Sequence, residues 1–290
     1  MFETQEINAL LNLVDDPDQE VYTTVSNKII NFGRGIIPNL ENLWENTADE
    51  DIQNRIEYLI HKLHYNDLTS DFKEWKGSKD NDLLFGSLLV AKFQYPNLQT
   101  NQVVQDIEKI RRNIWLELNN YLTPLEQANV LKSILYNYYR LVGTEVDYKN
   151  TDQFYLHKVL ETKKGSTFIN SIIYQILCEL LDIKAKVINI PNQMLIAFYG
   201  ADYESELILG IPQEKILFFV DASDGSAHSH QEINNYFKRL GLTLTPKYLK
   251  PLSNERIIQL LIEELSQCFN KASTQEKHQE LLELADLLNY

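Results

Sequence analysis

The sequence has few cysteines, few basic residues and no long apolar run. Only two of its 290 residues, Cys178 and Cys268, are cysteines, which excludes a disulfide-held fold and favours a reducing, cytoplasmic environment. Lysine and arginine number 27 against 41 aspartates and glutamates, for a formal net charge of -14. We do not expect so acidic a chain to bind nucleic acid or an anionic membrane.

The sequence also lacks a recognisable targeting or membrane-spanning segment. It starts MFETQEINALLNLVDD, with acidic residues where a secretory signal has lysine or arginine, so we expect no signal peptide. The most apolar stretch, residues 168–181, is interrupted by polar side chains and falls short of the roughly 18 residues that a membrane span requires.

The chain has the apolar periodicity of helices up to residue 181, followed by short segments whose pattern is typical of β-strands. Short amphipathic helices with turn signals between them occupy residues 3–76 and are similar to HEAT-like hairpins. Residues 166–181 are predicted to form a helix that is apolar on nearly every side, which belongs at the centre of a domain. Strands are predicted at 184–190, 193–199, 206–209 and 216–221, and their short connections favour an antiparallel sheet.

This order of elements predicts an α+β fold, in which N-terminal helical hairpins precede a buried central helix packed on a small antiparallel sheet. We place a helical domain at residues 1–78, an α+β domain at 79–250, and a C-terminal helical pair at 251–290 that packs on the core. The polar segment KGSKDND, at 76–82, is the predicted linker.

A buried helix that starts after glycine, followed by antiparallel strands of which one ends in aspartate, resembles the transglutaminase and papain-like plan. The finer resemblance is to the SirB branch of bacterial transglutaminase-like proteins, and it covers roughly residues 82–270. It is carried by YLHKVLETKKG at 155–165, Gly165-Ser166 at the helix start, IPNQMLI at 190–196 and FVDASDG at 219–225. These are similar to the family signatures FLxxVLExrxG, a helix-opening GI or GS, PGHFLV or PTQLIL, and DPFDGG or NPFNGE.

In that superfamily a cysteine at the helix start is the nucleophile, a histidine on the second strand is the base, and an aspartate or asparagine on the third strand orients the histidine. The resemblance transfers these three roles to Thr167, Gln193 and Asp221. Glutamine cannot titrate, and a threonine hydroxyl without a base is a poor nucleophile near neutral pH. Cys178 lies eleven residues beyond Thr167, about three helical turns away, and cannot take its place. The resemblance therefore implies a retained fold without catalytic residues and without a cofactor.

Several polar residues near these positions allow more than one interpretation. Ser166 and Ser171 are either cleft residues or helix-capping and first-turn residues, and Asp221 is either an orienting group or the cap of a turn over 222–225. The loop from Asp221 to Glu232 contains carboxylates and a His-x-His pair, a combination that suits zinc or manganese. We favour the structural interpretations and expect no metal site, because a strand instead of a helix precedes the loop and its sixth position is not glycine, as a calcium-binding EF-hand requires.

The sequence thus predicts a pseudoenzyme that acts as a cytoplasmic protein-binding or regulatory module with a protein or peptide partner. The alternative is an active amidase, protease or transamidase that uses a hydroxyl of Ser166, Thr167 or Ser171 with Asp221 and a base such as His228 or His230. A third possibility is transcriptional regulation, which in so acidic a chain is expected to act through a protein partner and not through DNA.

Overall fold

The computed structural model describes residues 2–79, 81–200 and 215–289 and confirms the α+β class. The chain forms two compact units, the first made of Met1–Glu74 with Lys92–Pro96 and the second of Trp75–Ala91 with Asn97–Tyr290. The predicted division of the chain into domains at 78/79 and 250/251 stays a prediction. None of the helices in the described ranges combines the length and the apolarity that crossing a membrane requires.

The first unit is a set of helices around an aliphatic core. Its helices are α1 (Phe2–Leu11), α2 (Gln19–Asn31), α3 (Ile37–Glu45) and the greater part of α4 (Glu50–Gly77). Asp18 caps α2 by accepting a hydrogen bond from the Glu20 N–H, and Pro38 stands in the first turn of α3, where its missing N–H costs nothing. The core consists of Leu10, Val14, Val25, Ile29, Ile36, Ile37, Leu40, Ile56, Leu59 and Leu63.

The predicted linker at 76–82 is short and bonded to its surroundings. Helix α4 runs through Gly77, and the next helix, α5 (Leu83–Lys92), starts soon after. The Lys76 Nζ donates hydrogen bonds to the carbonyl oxygens of Leu287 and Asn289, and the Trp75 indole N–H donates to the Asp82 carbonyl.

The second unit places most of its helices before the sheet. These are α6 (Thr100–Glu117), α7 (Pro124–Lys132), which continues as a π-helical turn over Ser133–Tyr138, and α8 (Leu156–Thr162). A capping box starts α7, since the Thr123 hydroxyl accepts from the Glu126 N–H and the Glu126 carboxylate accepts from the Thr123 N–H. Two three-residue strands, β1 (Val142–Thr144) and β2 (Lys164–Ser166), pair in parallel on either side of α8 in the chain.

The predicted central helix is confirmed as α9 (Thr167–Leu180). Every residue from Ile169 to Cys178 is buried, so the helix is surrounded by protein along most of its length. Its apolar side chains have no exposed face to occupy, which agrees with a sequence that shows almost no polar side.

A four-stranded antiparallel sheet follows α9. Its order is β3 (Ala185–Ile190), β4 (Gln193–Tyr199), β5 (Ile216–Asp221) and β6 (Ser226–His228). Three of the predicted strands and their antiparallel pairing are thereby confirmed, whereas the strand predicted at 206–209 lies outside the described residues. The outer edge of β3 is covered at Val187, whose N–H donates to Gln175 Oε1 and whose carbonyl accepts from the Leu252 N–H.

The two faces of this sheet contact different helices. On one face the Tyr174 ring of α9 packs edge-on against Phe198, with ring centroids 6.3 Å apart. On the other, α10 (His230–Arg239) contributes Ile233 and Phe237 to a separate core. That core is formed with Ile188, Ile190, Leu195, Ala197, Tyr199, Ile216, Phe219 and Leu249. The C-terminal helices α11 (Asn254–Ser266) and α12 (Gln275–Leu287) complete the unit.

Candidate functional site

The three positions that the resemblance singles out lie at the ends of elements. Thr167 is the first residue of α9, Gln193 the first of β4 and Asp221 the last of β5. Because β4 and β5 are antiparallel neighbours, the start of β4 and the end of β5 lie at the same end of the two strands.

Strand β1 connects the start of α9 with the end of β5. Its Gly143 pairs with Gly165, two residues before Thr167, and the Gly143 N–H donates a 2.8 Å hydrogen bond to the carbonyl oxygen of Ser223, two residues after Asp221. The Thr144 hydroxyl donates to the Gly165 carbonyl at 3.1 Å. The helix start and the turn after β5 therefore lie on opposite sides of one short strand.

This corner, formed by residues 142–144, 165–167 and 221–225, is tightly packed. A Cβ atom on Gly143 would lie 2.4 Å from the Cβ of Ser223, and one on Gly165 would lie 2.5 Å from Oδ1 of Asn170. Real Cβ atoms do not approach other atoms so closely, so only glycine fits at these two positions. The Gly143 position is filled by Ser223, and the Gly165 position by the side chains of Asn170, Ile169 and Val159.

The hydroxyl next to Thr167 caps the helix. Ser166 is fully buried, and its Oγ accepts a hydrogen bond from the Ile169 N–H at 3.4 Å. This is the geometry expected of an N-cap residue, which satisfies one of the free N–H groups in the first turn. Thr167 itself is half-buried and makes no side-chain hydrogen bond within the described residues.

Asp221 makes the hydrogen bonds of a turn. Its Oδ1 accepts from the Ser223 N–H at 2.7 Å, and its carbonyl oxygen accepts from the Gly225 N–H at 2.8 Å. This is an Asx turn at the end of β5.

The pleat of the sheet separates Gln193 and Asp221 from α9. Side chains along a strand alternate between faces, so Gln193 lies on the same face as Leu195, and Asp221 on the same face as Phe219. Both Leu195 and Phe219 belong to the core on the α10 side. Within the described ranges, no side-chain hydrogen bond joins any two of Thr167, Gln193 and Asp221. Gln193 and Asp221 share the face of the sheet that contacts α10, whereas Thr167 belongs to α9, on the other face.

The sequence matches one protein-family model. Residues 101–263, more than half of the chain, match the model of the transglutaminase-like superfamily. The chain belongs to this superfamily. The match starts in α6 and ends in α11, and it includes α9, all four strands of the sheet and the packed corner. Searches of curated proteins and of solved structures returned no match to the chain.

The histidines proposed as bases for this transglutaminase-like domain bond elsewhere. The Nε2 of His230 lies 2.6 Å from the carbonyl oxygen of Ile216, which starts β5 and is therefore at the far end of that strand from Asp221. The Nε2 of His228 lies 3.2 Å from the hydroxyl of Ser226, and its Nδ1 lies 3.9 Å from Glu232. Neither ring contacts Ser166, Thr167 or Ser171 by a hydrogen bond.

The loop considered for a metal is instead strand β6 and the start of α10. Burial opposes ionisation of Asp224, but hydrogen bonds from the hydroxyl and the N–H of Ser226 outweigh it and lower the pKa. Glu232 closes a capping box with Ser229, whose N–H and hydroxyl lower the pKa of that carboxylate. In the described part of the chain, no three histidine, cysteine, aspartate or glutamate side chains are grouped to hold a metal ion.

Both cysteine thiols of the domain are poor nucleophiles. Burial raises the pKa of Cys178 well above its ordinary value of 9.0, so the thiolate is disfavoured near neutral pH. Burial also raises the pKa of Cys268, to about 11. Neither thiol is therefore favoured as a thiolate nucleophile near neutral pH.

One feature of α9 went unnoticed in the sequence, namely a buried polar stripe formed by Asn170, Ser171 and Tyr174. All three residues are fully buried, and in the described part of the chain their side-chain polar atoms have no hydrogen-bond partner. Their spacing places them on the same side of the helix as Thr167. Polar residues three, four and seven positions after Thr167, within an otherwise apolar helix, are the sequence signal that predicts such a stripe.

Proposed function

We propose that this transglutaminase-like protein is catalytically degenerate and acts as a protein-binding or regulatory module. The observation that carries the proposal is the packing of the corner at the start of α9, where Gly143 and Gly165 leave no room for a Cβ atom. Acyl transfer needs a nucleophile, a base and space for the reacting carbonyl at one point. A corner packed this tightly by Ser223 and by the side chains around Gly165 supports the absence of such a point.

The chemistry of the three transferred positions supports the same proposal. Gln193 carries an amide where the superfamily has its base, and Asp221 is engaged in a turn with Ser223. The alternative, an active amidase, protease or transamidase, needs a base within about 3 Å of a hydroxyl at the helix start. The ring nitrogens of His228 and His230 have other neighbours, which weighs against it.

We also propose a finer placement for the two parts of the chain. The motifs at 155–165, 190–196 and 219–225 support membership of the SirB branch of bacterial transglutaminase-like proteins. The succession of α1 to α4 supports a HEAT-like character for the N-terminal helices. Two free cysteines in the described residues, one of them buried, support a reducing cytoplasm as the place of action.

A turnover assay tests the loss of catalysis. We expect the purified chain to process peptide amides, esters and glutamine peptides with an amine acceptor no faster than buffer does. Turnover that disappears in Thr167→Ala, Ser171→Ala or Asp221→Asn, but persists in the exposed control variants Ser273→Ala and Asp51→Asn, would contradict the proposal.

A second variant tests the geometry instead of the residue types. The double substitution Thr167→Cys with Gln193→His restores the nucleophile and the base of the superfamily. We expect it to remain inactive, because the pleat directs position 193 to the face of the sheet opposite α9. Activity in this variant would show that the corner opens in solution and would overturn the structural argument.

A further inference from the structure

We infer that the first unit binds an extended, positively charged peptide segment in a groove between the C-terminal end of α1 and one side of α3. The groove has a volume of about 640 Å³ and is lined by Leu11, Asn12, Pro38, Asn39, Asn42, Leu43 and Asn46. The inference rests on the proposed binding function, for which it names a surface and a class of partner.

The groove combines an apolar floor with a row of amides. Leu11 and Leu43 are half-buried and pack against the core of the unit, which fixes the floor. Asn39, Asn42 and Asn46 recur at intervals of three and four residues and so share one side of α3. Asn12 adds a fourth amide just after the end of α1.

Two of these four amides are open to a ligand, and the other two are hydrogen-bonded to each other. The side chains of Asn12 and Asn39 make no hydrogen bond within the described residues. The Nδ2 of Asn46 donates to the backbone carbonyl of Asn42 at 2.7 Å and to its Oδ1 at 3.4 Å, which leaves the Oδ1 of Asn46 and the Nδ2 of Asn42 for a ligand. An asparagine side chain offers one acceptor and two donors, the same groups that peptide backbone presents.

The spacing of the row suits extended backbone. From Asn39 to Asn46 the helix rises about 10.5 Å, and about three residues of an extended chain cover the same distance. Amides at this spacing can pair with backbone N–H and C=O groups without reading side chains, and the leucine floor can receive an aliphatic stem.

The charge of the ligand follows from the surroundings. The last residue of α1, Leu11, and the residue that follows the end of α3, Asn46, both line the groove, and neither helix has a basic residue in its last turn. Helix C-termini carry a partial negative charge. The groove lining itself carries no charged side chain, but the residues of the first unit include fifteen acidic and six basic side chains, so the unit as a whole is negatively charged. A segment bearing lysine or arginine is therefore favoured over an acidic one.

A peptide titration with the full chain tests the inference. The probe is a fluorescein-labelled peptide of about twelve residues with alternating serine and lysine, long enough to cross the groove in extended form. Matched peptides carry glutamine or glutamate in place of lysine. We expect fluorescence anisotropy to rise with the lysine peptide, less with the glutamine peptide and not with the glutamate peptide.

The decisive variant is Asn39→Ala with Asn42→Ala, which removes two groove amides without changing charge. Alanine favours a helix more than asparagine does, so folding is not at risk. We expect affinity for the lysine peptide to fall about tenfold, since two hydrogen bonds are lost. The control is Asn27→Ala with Asn31→Ala, two exposed asparagines of α2 outside the groove, which should bind as the unsubstituted chain does.

Two results would overturn the inference. The first is equal affinity of the two double variants for the lysine peptide, which would indicate nonspecific charge attraction. The second is no binding of the lysine peptide to the unsubstituted chain. Neither result affects the turnover assay, so a failure of the groove is distinguishable from a failure of the proposed loss of catalysis.

Discussion

Replacing Ser171 with alanine should stabilise the transglutaminase-like domain, although the residue is buried in the second turn of its central helix. Ser171 is fully buried, and its Oγ has no hydrogen-bond partner within the described residues. A buried hydroxyl without a partner costs about 1–3 kcal/mol of desolvation free energy. Removing the hydroxyl recovers that free energy.

Two smaller effects nearly cancel. The higher helix propensity of alanine adds about 0.5 kcal/mol, and the space left by one oxygen atom subtracts about 0.5 kcal/mol. The free energy of unfolding should therefore rise by about 1–3 kcal/mol. Equilibrium unfolding in urea, followed by far-ultraviolet circular dichroism, measures this difference directly as a shift of the midpoint.

Ser166 provides the matched control, since it is a buried serine at the start of the same helix. Its Oγ accepts a hydrogen bond from the Ile169 N–H, so Ser166→Ala should lower stability by about 1 kcal/mol. Opposite signs for the two serines would support the reasoning. A loss of stability in Ser171→Ala would refute it, because the hydroxyl would then have a stabilising partner.

The remaining predictions concern the packed corner and the buried tyrosine and cysteine side chains. In thermal melts, Gly143→Ala should lower the free energy of unfolding by about 1–3 kcal/mol, because the added Cβ meets Ser223. Gly77→Ala, with open space around the site, should be neutral or slightly stabilising in the same measurement. Burial raises the pKa values of Tyr136, Tyr174 and Cys178 in the folded state, so their contribution to stability is complete below pH 9 and is lost as the pH rises further. Urea midpoints measured from pH 7 to 11 should fall above pH 9, and the fall should be smaller in Cys178→Ala; a flat profile would contradict this.

The parts of the fold that could be predicted from sequence are those with strong local periodicity. Helix α9 is apolar on almost all sides, and the hairpin of β3 and β4 has a clear turn at Pro191 and Asn192, where Asn192 adopts a positive φ of 67°. Both signals are contained in a short stretch of sequence, so neither depends on distant residues.

Elements held by distant partners could not be predicted in this way. Strands β1 and β2 have three residues each and exist because they pair with each other across α8. The start of α10 was missed for a different reason, because Ser229 and Glu232 form a capping box that is visible in the sequence but was interpreted as part of a possible metal loop.

The candidate site shows the same division. The residue types at 167, 193 and 221 predict a loss of catalysis, and this stays a prediction. The face on which Gln193 lies depends on the strand register, which the sequence pattern did not specify. The closure of the corner depends on the approach of Gly143 to Ser223, a contact between residues far apart in the chain.

That contact also bears on how the domain folds. Gly143 meets Ser223 eighty residues further along the chain, and β1 can take its place only after α9 and the sheet have brought Gly165 and Ser223 close together. Contacts between residues so distant in sequence close large loops, and their entropic cost delays them until other structure exists. Strand β1 should therefore dock late, on the native side of the folding transition state. Substitutions in β1 should accelerate unfolding more than they slow folding. The docking of this strand therefore contributes mainly to the unfolding rate of the domain.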